Sequence, residues 1–232
     1  MELNGSRFLV AGATGFLGER FARALVARGA SVAVAGRDRE AVAGIGAELG
    51  APVVLLDFAD PDSPADAVET AKRDLGGLDG LLVATGAVAF GRSGEIEPGV
   101  EAELLATNTT GPIRLISAAL DELSPDGAVV AITAVVAEFP TAGMATYSAS
   151  KAALAAYLAA LRRERRKELA TVLEVSPGHM ETGFAERALA GEPPTLPEGE
   201  DPDRLVEVAL DALVADRREV RYDVKSKELL VK

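Results

Sequence analysis

Cysteine and tryptophan are absent from this 232-residue chain, and histidine occurs once. Without cysteine there is no disulfide framework, no zinc finger and no thiol nucleophile. Aromatic residues make up 4% of the sequence, so the core has to be built from Ala, Val, Leu and Ile. Basic residues are outnumbered, leaving a formal net charge of −12. That balance argues against nucleic acid or an anionic membrane as the main partner, since both reward basic surfaces. No run approaches the ~18 uninterrupted apolar residues of a membrane span. The opening residues, Met1-Glu2-Leu3-Asn4-Gly5, lack the basic and apolar regions of a secretory signal. No metal site is expected. What remains is a globular composition, 48% hydrophobic and 26% charged, which excludes wholesale disorder. Length and composition predict one domain over residues 1–232, in a cytoplasmic protein.

Short apolar runs alternate with longer amphipathic stretches. Phe8–Ala11, Val32–Ala35, Val53–Leu56, Leu81–Ala84, Ala128–Thr133 and Val172–Val175 read as strands. Helical patterns follow Gly15, and run over Arg39–Leu49, Ser63–Leu75, Glu101–Leu123, Thr146–Leu169 and Asp203–Val214. The strands are apolar throughout, without in–out alternation, as a parallel sheet covered on both faces requires. The pattern predicts an α/β fold, a doubly wound parallel sheet with helices on both faces. The loop-rich stretch around residues 183–200 is expected to cover a substrate pocket, because such sheets bind ligands beyond the carboxyl ends of their strands. The cluster Arg162–Glu168 reads as a solvated helix end with interleaved acids.

Gly12-Ala13-Thr14-Gly15-Phe16-Leu17-Gly18 lies between the first strand and the first helix. Glycines at this spacing allow a tight turn and a close approach to a pyrophosphate, and the helix N-terminus offers unpaired N–H groups. Dinucleotide binding is therefore expected. The second strand ends in Ala35-Gly36-Arg37-Asp38. A carboxylate there would bond a ribose 2′-hydroxyl, whereas the Arg37 guanidinium can fork onto a 2′-phosphate, which favours NADP(H) over NAD(H). Asp57 ends the third strand, placed either to accept the adenine amino group or to cap the turn that follows.

Tyr147 and Lys151 stand four residues apart on a helix and share one face. A nearby ammonium favours the phenolate, which makes a tyrosine a usable acid or base. Here the chain resembles the short-chain dehydrogenase/reductase family, single-domain type, with a Rossmann-like fold. Tyr147-Ser148-Ala149-Ser150-Lys151 looks like its Tyr-x-x-x-Lys helix and Gly12–Gly18 like its nucleotide loop. Asn108-Thr109-Thr110-Gly111 resembles its Asn-x-x-Gly segment, and Pro177-Gly178-His179-Met180-Glu181-Thr182 the segment that touches the nicotinamide.

The resemblance implies an oxidoreductase that interconverts an alcohol and a carbonyl. Tyr147 would exchange the proton, Lys151 would hold the ribose and lower the tyrosine pKa, and Asn108 would kink its helix and complete the relay. Pro177, Gly178 and Thr182 would meet the nicotinamide, and Asp57 the adenine. Two departures stand out. The family's serine, thirteen residues before the tyrosine, is Ala134 here. Losing such a donor costs ~10²–10³ in rate. Thr133 is adjacent and would serve if the strand end bent inward; His179 is a second candidate. In addition, Ala84-Thr85-Gly86-Ala87 stands where Asn-Asn-Ala-Gly is usual. The alternative is thus a weak or inactive NADP(H)-binding sensor or scaffold of the same fold. On the helix from Thr146, Leu154, Leu158 and Leu161 form one stripe and Ala149, Ala153, Tyr157 and Ala160 another. One stripe covers the sheet, and the second is placed to meet another copy, as family members do, in a homodimer or homotetramer.

Overall fold

The first strand, β1 (Arg7–Ala11), lies third from one edge of an eight-stranded sheet, and its side chains divide between two cores. Phe8 and Val10 belong to one, Leu9 and Ala11 to the other. Successive side chains of a strand face opposite ways, so an uninterrupted apolar run is what two covered faces demand. A computed structural model describes residues 1–169 and 171–232. After β1 come α1 (Phe16–Ala27), β2 (Ser31–Gly36), α2 (Arg39–Leu49), β3 (Val53–Leu55), α3 (Ser63–Leu75) and β4 (Gly80–Val83). The second half adds α4 (Pro98–Leu105), α5 (Gly111–Leu120), β5 (Ala128–Ile132), α6 (Ala145–Glu164), β6 (Thr171–Ser176), α7 (Pro202–Val214), β7 (Glu219–Asp223) and β8 (Glu228–Val231).

Strand order is β3-β2-β1-β4-β5-β6-β7-β8, parallel except for β8, which pairs antiparallel with β7. Helices α1, α2 and α7 bury Phe21, Leu25, Val42, Leu205 and Leu210 on one face. Helices α3, α5 and α6 bury Val68, Leu115, Ile116, Leu154 and Leu158 on the other. The doubly wound sheet expected from the sequence is the observed one. The chain reverses direction of winding between β1 and β4, which opens a crevice at their carboxyl ends.

Three expectations need correction. The helix read over Glu101–Leu123 is two helices joined by a π-helical turn, Ala106–Thr110. The Gly111 N–H donates to the carbonyl of Ala106, five residues back. Pro112 supplies no N–H, so the Asn108 carbonyl lacks its α-helical donor and the ladder shifts. The helix read over Thr146–Leu169 ends at Glu164. Beyond it, Arg165 pairs with Glu168 in a turn. Within the basic cluster Arg162 is not solvated. It turns inward, donating from Nε to the Val172 carbonyl at 2.8 Å and from Nη2 to Glu174 at 3.2 Å. Finally, the hairpin β7–β8 was not expected at all.

Candidate active site

The carboxyl ends of the strands surround a cavity of about 990 Å³, at the upper end of the range for ligand sites. One end is formed by the glycine loop. Gly12 has φ +81°, and a Cβ there would lie 2.9 Å from the backbone of Ala84 and Thr85. A Cβ on Gly18 would collide with the Gly12 carbonyl, so α1 packs directly on the turn. Gly15 is the N-cap of α1 and has no side chain to offer the first-turn amides. Gly12, Thr14, Gly15, Phe16 and Leu17 line the cavity, while Gly18 stays in the packing behind it. These free N–H groups and the helix dipole fit a pyrophosphate. Thr85 also lines the cavity, and its hydroxyl is buried without a hydrogen-bond partner among the described residues.

Arg37 is exposed and lines the cavity. Its neighbour Asp38 caps α2, its carboxylate accepting from the N–H groups of Glu40 and Ala41 at 2.9 and 3.0 Å. That leaves the guanidinium as the charged group offered at this strand end. Asp57 also lines the cavity, and one of its oxygens accepts from Ala59 N–H at 3.0 Å. The turn-capping reading is therefore seen, with the second oxygen left over.

At the other end α6 delivers Tyr147 and Lys151, both buried. Lys151 Nζ donates to the Ile132 carbonyl at 3.1 Å, and burial brings its pKa down to about 8. Burial pushes the Tyr147 hydroxyl up. The sequence suggested a phenol pulled down by its lysine; desolvation outweighs that here. Asn108, fully buried on the π turn, clamps the segment after β4. Its Oδ1 accepts from Ala87 N–H at 2.9 Å, and Nδ2 donates to the Ala87 carbonyl at 2.8 Å and to Ser150 Oγ at 3.0 Å. Ser150 in turn donates to the Tyr147 carbonyl at 2.7 Å. Gly86 marks where these groups meet, since a Cβ there would lie 3.5 Å from Lys151 Nζ and 3.7 Å from Asn108 Oδ1. The structure thus brings Tyr147, Lys151 and Asn108 to one place.

Thr133 is not aimed at an oxyanion. Its hydroxyl donates to Glu174 Oε1 at 2.9 Å, and Glu174 is held by Arg162. Ala134 belongs to the same apolar cluster as Tyr147, so a methyl occupies the family's serine position. Pro177, Gly178, His179 and Thr182 all line the cavity. The Gly178 N–H lies 3.4 Å from Glu200, and the ring of Tyr222 on β7 packs against Gly178. Ser150, Glu174 and Tyr222 were not singled out from the sequence. Ser150 sits between Tyr147 and Lys151 and was open to notice; the other two act through pairings across the sheet.

The sequence and fold can now be set beside known proteins. The short chain dehydrogenase family profile matches residues 7–193. The chain belongs to that family. This short chain dehydrogenase is 30% identical over 227 residues to dehydrogenase/reductase SDR family member 7B from Bos taurus, covering 89% of this chain and 69% of that protein. It is 30% identical over 194 residues to the 3-oxoacyl-(acyl-carrier-protein) reductase FabG of Salmonella typhimurium, covering 82% and 79% respectively. A short chain dehydrogenase from Burkholderia cenocepacia, solved in complex with NADP, superposes with a TM-score of 0.76 at 30% identity, covering 92% of this chain and 91% of the other. Among the described residues, no helix of the short chain dehydrogenase is long and apolar enough to cross a membrane.

Proposed function

We propose that the protein reduces a carbonyl to an alcohol, and runs the reverse reaction, with NADP(H) as its cofactor. The observation that carries this reading is one continuous cavity with the bare N-terminus of α1 at one end and buried Tyr147 and Lys151 at the other. The glycine loop would hold the pyrophosphate, Arg37 the 2′-phosphate and Asp57 the adenine. Lys151 would hold the ribose, and Pro177, Gly178 and Thr182 the nicotinamide ring. When bound, the reduced cofactor supplies a hydride to the carbonyl carbon. A phenol is protonated at neutral pH, so Tyr147 would give its proton to the carbonyl oxygen, although the burial that raises its pKa makes it the weaker acid. Asn108 and Ser150 position that tyrosine and the segment at Ala87. Residues 183–200 would cover the substrate end.

A second reading follows from Ala134 and from the committed hydroxyl of Thr133: a protein that binds NADP(H) but turns over poorly. Purified protein assayed against a panel of carbonyls with NADPH separates the two. Turnover abolished by Tyr147→Phe supports the enzyme; tight NADPH binding with no turnover supports the binder. Equal affinity for NADPH and NADH, unaltered by Arg37→Ala, would overturn the cofactor assignment. We also propose that the exposed alanine face of α6, with Ala149, Ala153 and Ala160, pairs with a second copy of the chain.

A further inference from the structure

Tyr147 lies in an apolar cluster of its own, distinct from the two cores that fasten helices to the sheet. Its walls come from the segments that follow three strands. Val88 and Phe90 follow β4, Ala134 and Val136 follow β5, and Phe184 follows β6. The four from the first two segments are each less than a tenth exposed, and all five line the cavity. The third wall is fastened in place. Leu189 N–H donates to the Val88 carbonyl, and Phe90 N–H to the Ala190 carbonyl, both at 2.8 Å. The Phe184 ring stands 6.4 Å from that of Tyr147, tilted by 51°. Of the charged residues along the cavity, Lys151 alone is buried; Arg37, Asp57, Glu103 and Arg187 occupy exposed or half-exposed positions.

We propose that the substrate is an uncharged carbonyl compound with apolar flanks, or the matching alcohol, and that the site rejects an equally sized substrate bearing a carboxylate there. This inference rests on the oxidoreductase reading. The five apolar side chains themselves offer a carboxylate neither a counter-charge nor a hydrogen bond, Arg187 lying at an exposed position of the same cavity. Burying it unpaired against them is costly. An alkyl flank gains by leaving water for the same walls. The methyl of Ala134 extends this surface to where the family carries a hydroxyl. In the reduction, the carbonyl carbon takes a hydride from the reduced nicotinamide and the oxygen takes the Tyr147 proton. The products are the alcohol and the oxidised cofactor, and Tyr147 regains a proton from solvent.

Methyl isoamyl ketone and levulinate make a matched test pair. Both are methyl ketones with the same branched skeleton of non-hydrogen atoms, one ending in an isopropyl group and the other in a carboxylate. Two readouts are needed: kcat/KM with NADPH, and binding of each ketone by ligand-observed NMR. The expected result is a kcat/KM for methyl isoamyl ketone at least ~500-fold above that for levulinate, beyond the ~10–200-fold that one methylene supplies in a hydrophobic pocket. Val136→Arg should narrow or invert the preference. Phe184→Arg, at a half-exposed position, makes the same test if the first variant fails to fold. Equal or better use of levulinate by the unmodified protein overturns the proposal and leaves the oxidoreductase reading standing. Selective binding of methyl isoamyl ketone with no turnover of either compound supports the apolar pocket and overturns the oxidoreductase reading. Binding of neither ketone, or a preference untouched by both arginine variants, overturns the proposal.

Discussion

Thr133 gives its hydroxyl proton to Glu174 at 2.9 Å. A hydroxyl has one proton to donate, so this residue has none left for an oxyanion. Ala134→Ser should therefore raise turnover, by up to ~10²-fold, because it restores a donor beside Tyr147. Thr133→Val should instead cost about 1–2 kcal/mol of stability, seen as a lower denaturant midpoint, with kcat little changed. A large loss of kcat in Thr133→Val at unchanged stability would show that the hydroxyl swings away from Glu174 during the reaction.

Lys151 has its pKa lowered to about 8 by burial. An ammonium attracts an anionic cofactor, so the protonated form binds it better. NADPH affinity should fall as pH rises through about 8, and fluorescence titration on either side of that value reads the change. Lys151→Arg should flatten the profile, since a guanidinium stays charged across this range. Lys151→Met should weaken binding at every pH. An unmodified protein with a flat profile would remove the ammonium from cofactor binding.

Much of this site was legible because its signals are local. The run Phe8–Ala11 followed by glycines at positions 12, 15 and 18 reports a strand, a turn and a helix start within a dozen residues. The four-residue spacing of Tyr147 and Lys151 is likewise complete in itself. The split helix was harder to read, because the apolar pattern runs through the π turn and Pro112 alone signals the break. The hairpin β7–β8 was silent for another reason. Arg221, Tyr222, Asp223 and Glu228 lie in an edge pairing that needs no apolar run. Thr133 and Glu174 meet across two strands, 41 residues apart, and nothing near either announces the other.

On α6, Leu154, Leu158 and Leu161 are buried in the core, whereas Ala149, Ala153 and Ala160 are exposed. Tyr157 is half-buried between them, its hydroxyl 3.2 Å from Ser117 Oγ on α5. Sedimentation at micromolar concentration should show an assembly larger than the 24.0 kDa chain. Tyr157→Glu should shift it towards monomer before NADPH binding suffers. A monomer in the unmodified protein would rule the pairing out.

Asp79 accepts from Arg7 Nε at 2.7 Å, from Arg7 Nη2 at 2.9 Å and from Ser124 Oγ at 2.7 Å. These bonds, that of Arg7 foremost, hold its carboxyl below the ordinary 3.8 against the opposing effect of burial. With the native value depressed, the unfolded chain binds the proton more readily. The stabilisation is complete above about 3.8 and is lost as pH falls through the lower native value. Asp79→Asn should cost roughly 1–3 kcal/mol at neutral pH. Chemical denaturation should show that gap closing in acid; a gap of constant size would mean the charge contributes nothing.

Arg7 opens β1, Asp79 precedes β4 and Ser124 precedes β5, so this clamp grips the strands where they enter the sheet. The cavity lies where they leave it. Anchorage and recognition thus occupy opposite poles of the same strands, joined only through a rigid interior. Side chains around Val88, Val136 and Phe184 are free to be exchanged, and with them the molecules accepted, while the entry-side grip keeps the strands in register. A protein laid out this way can turn to new chemistry one loop at a time without having to relearn how to fold.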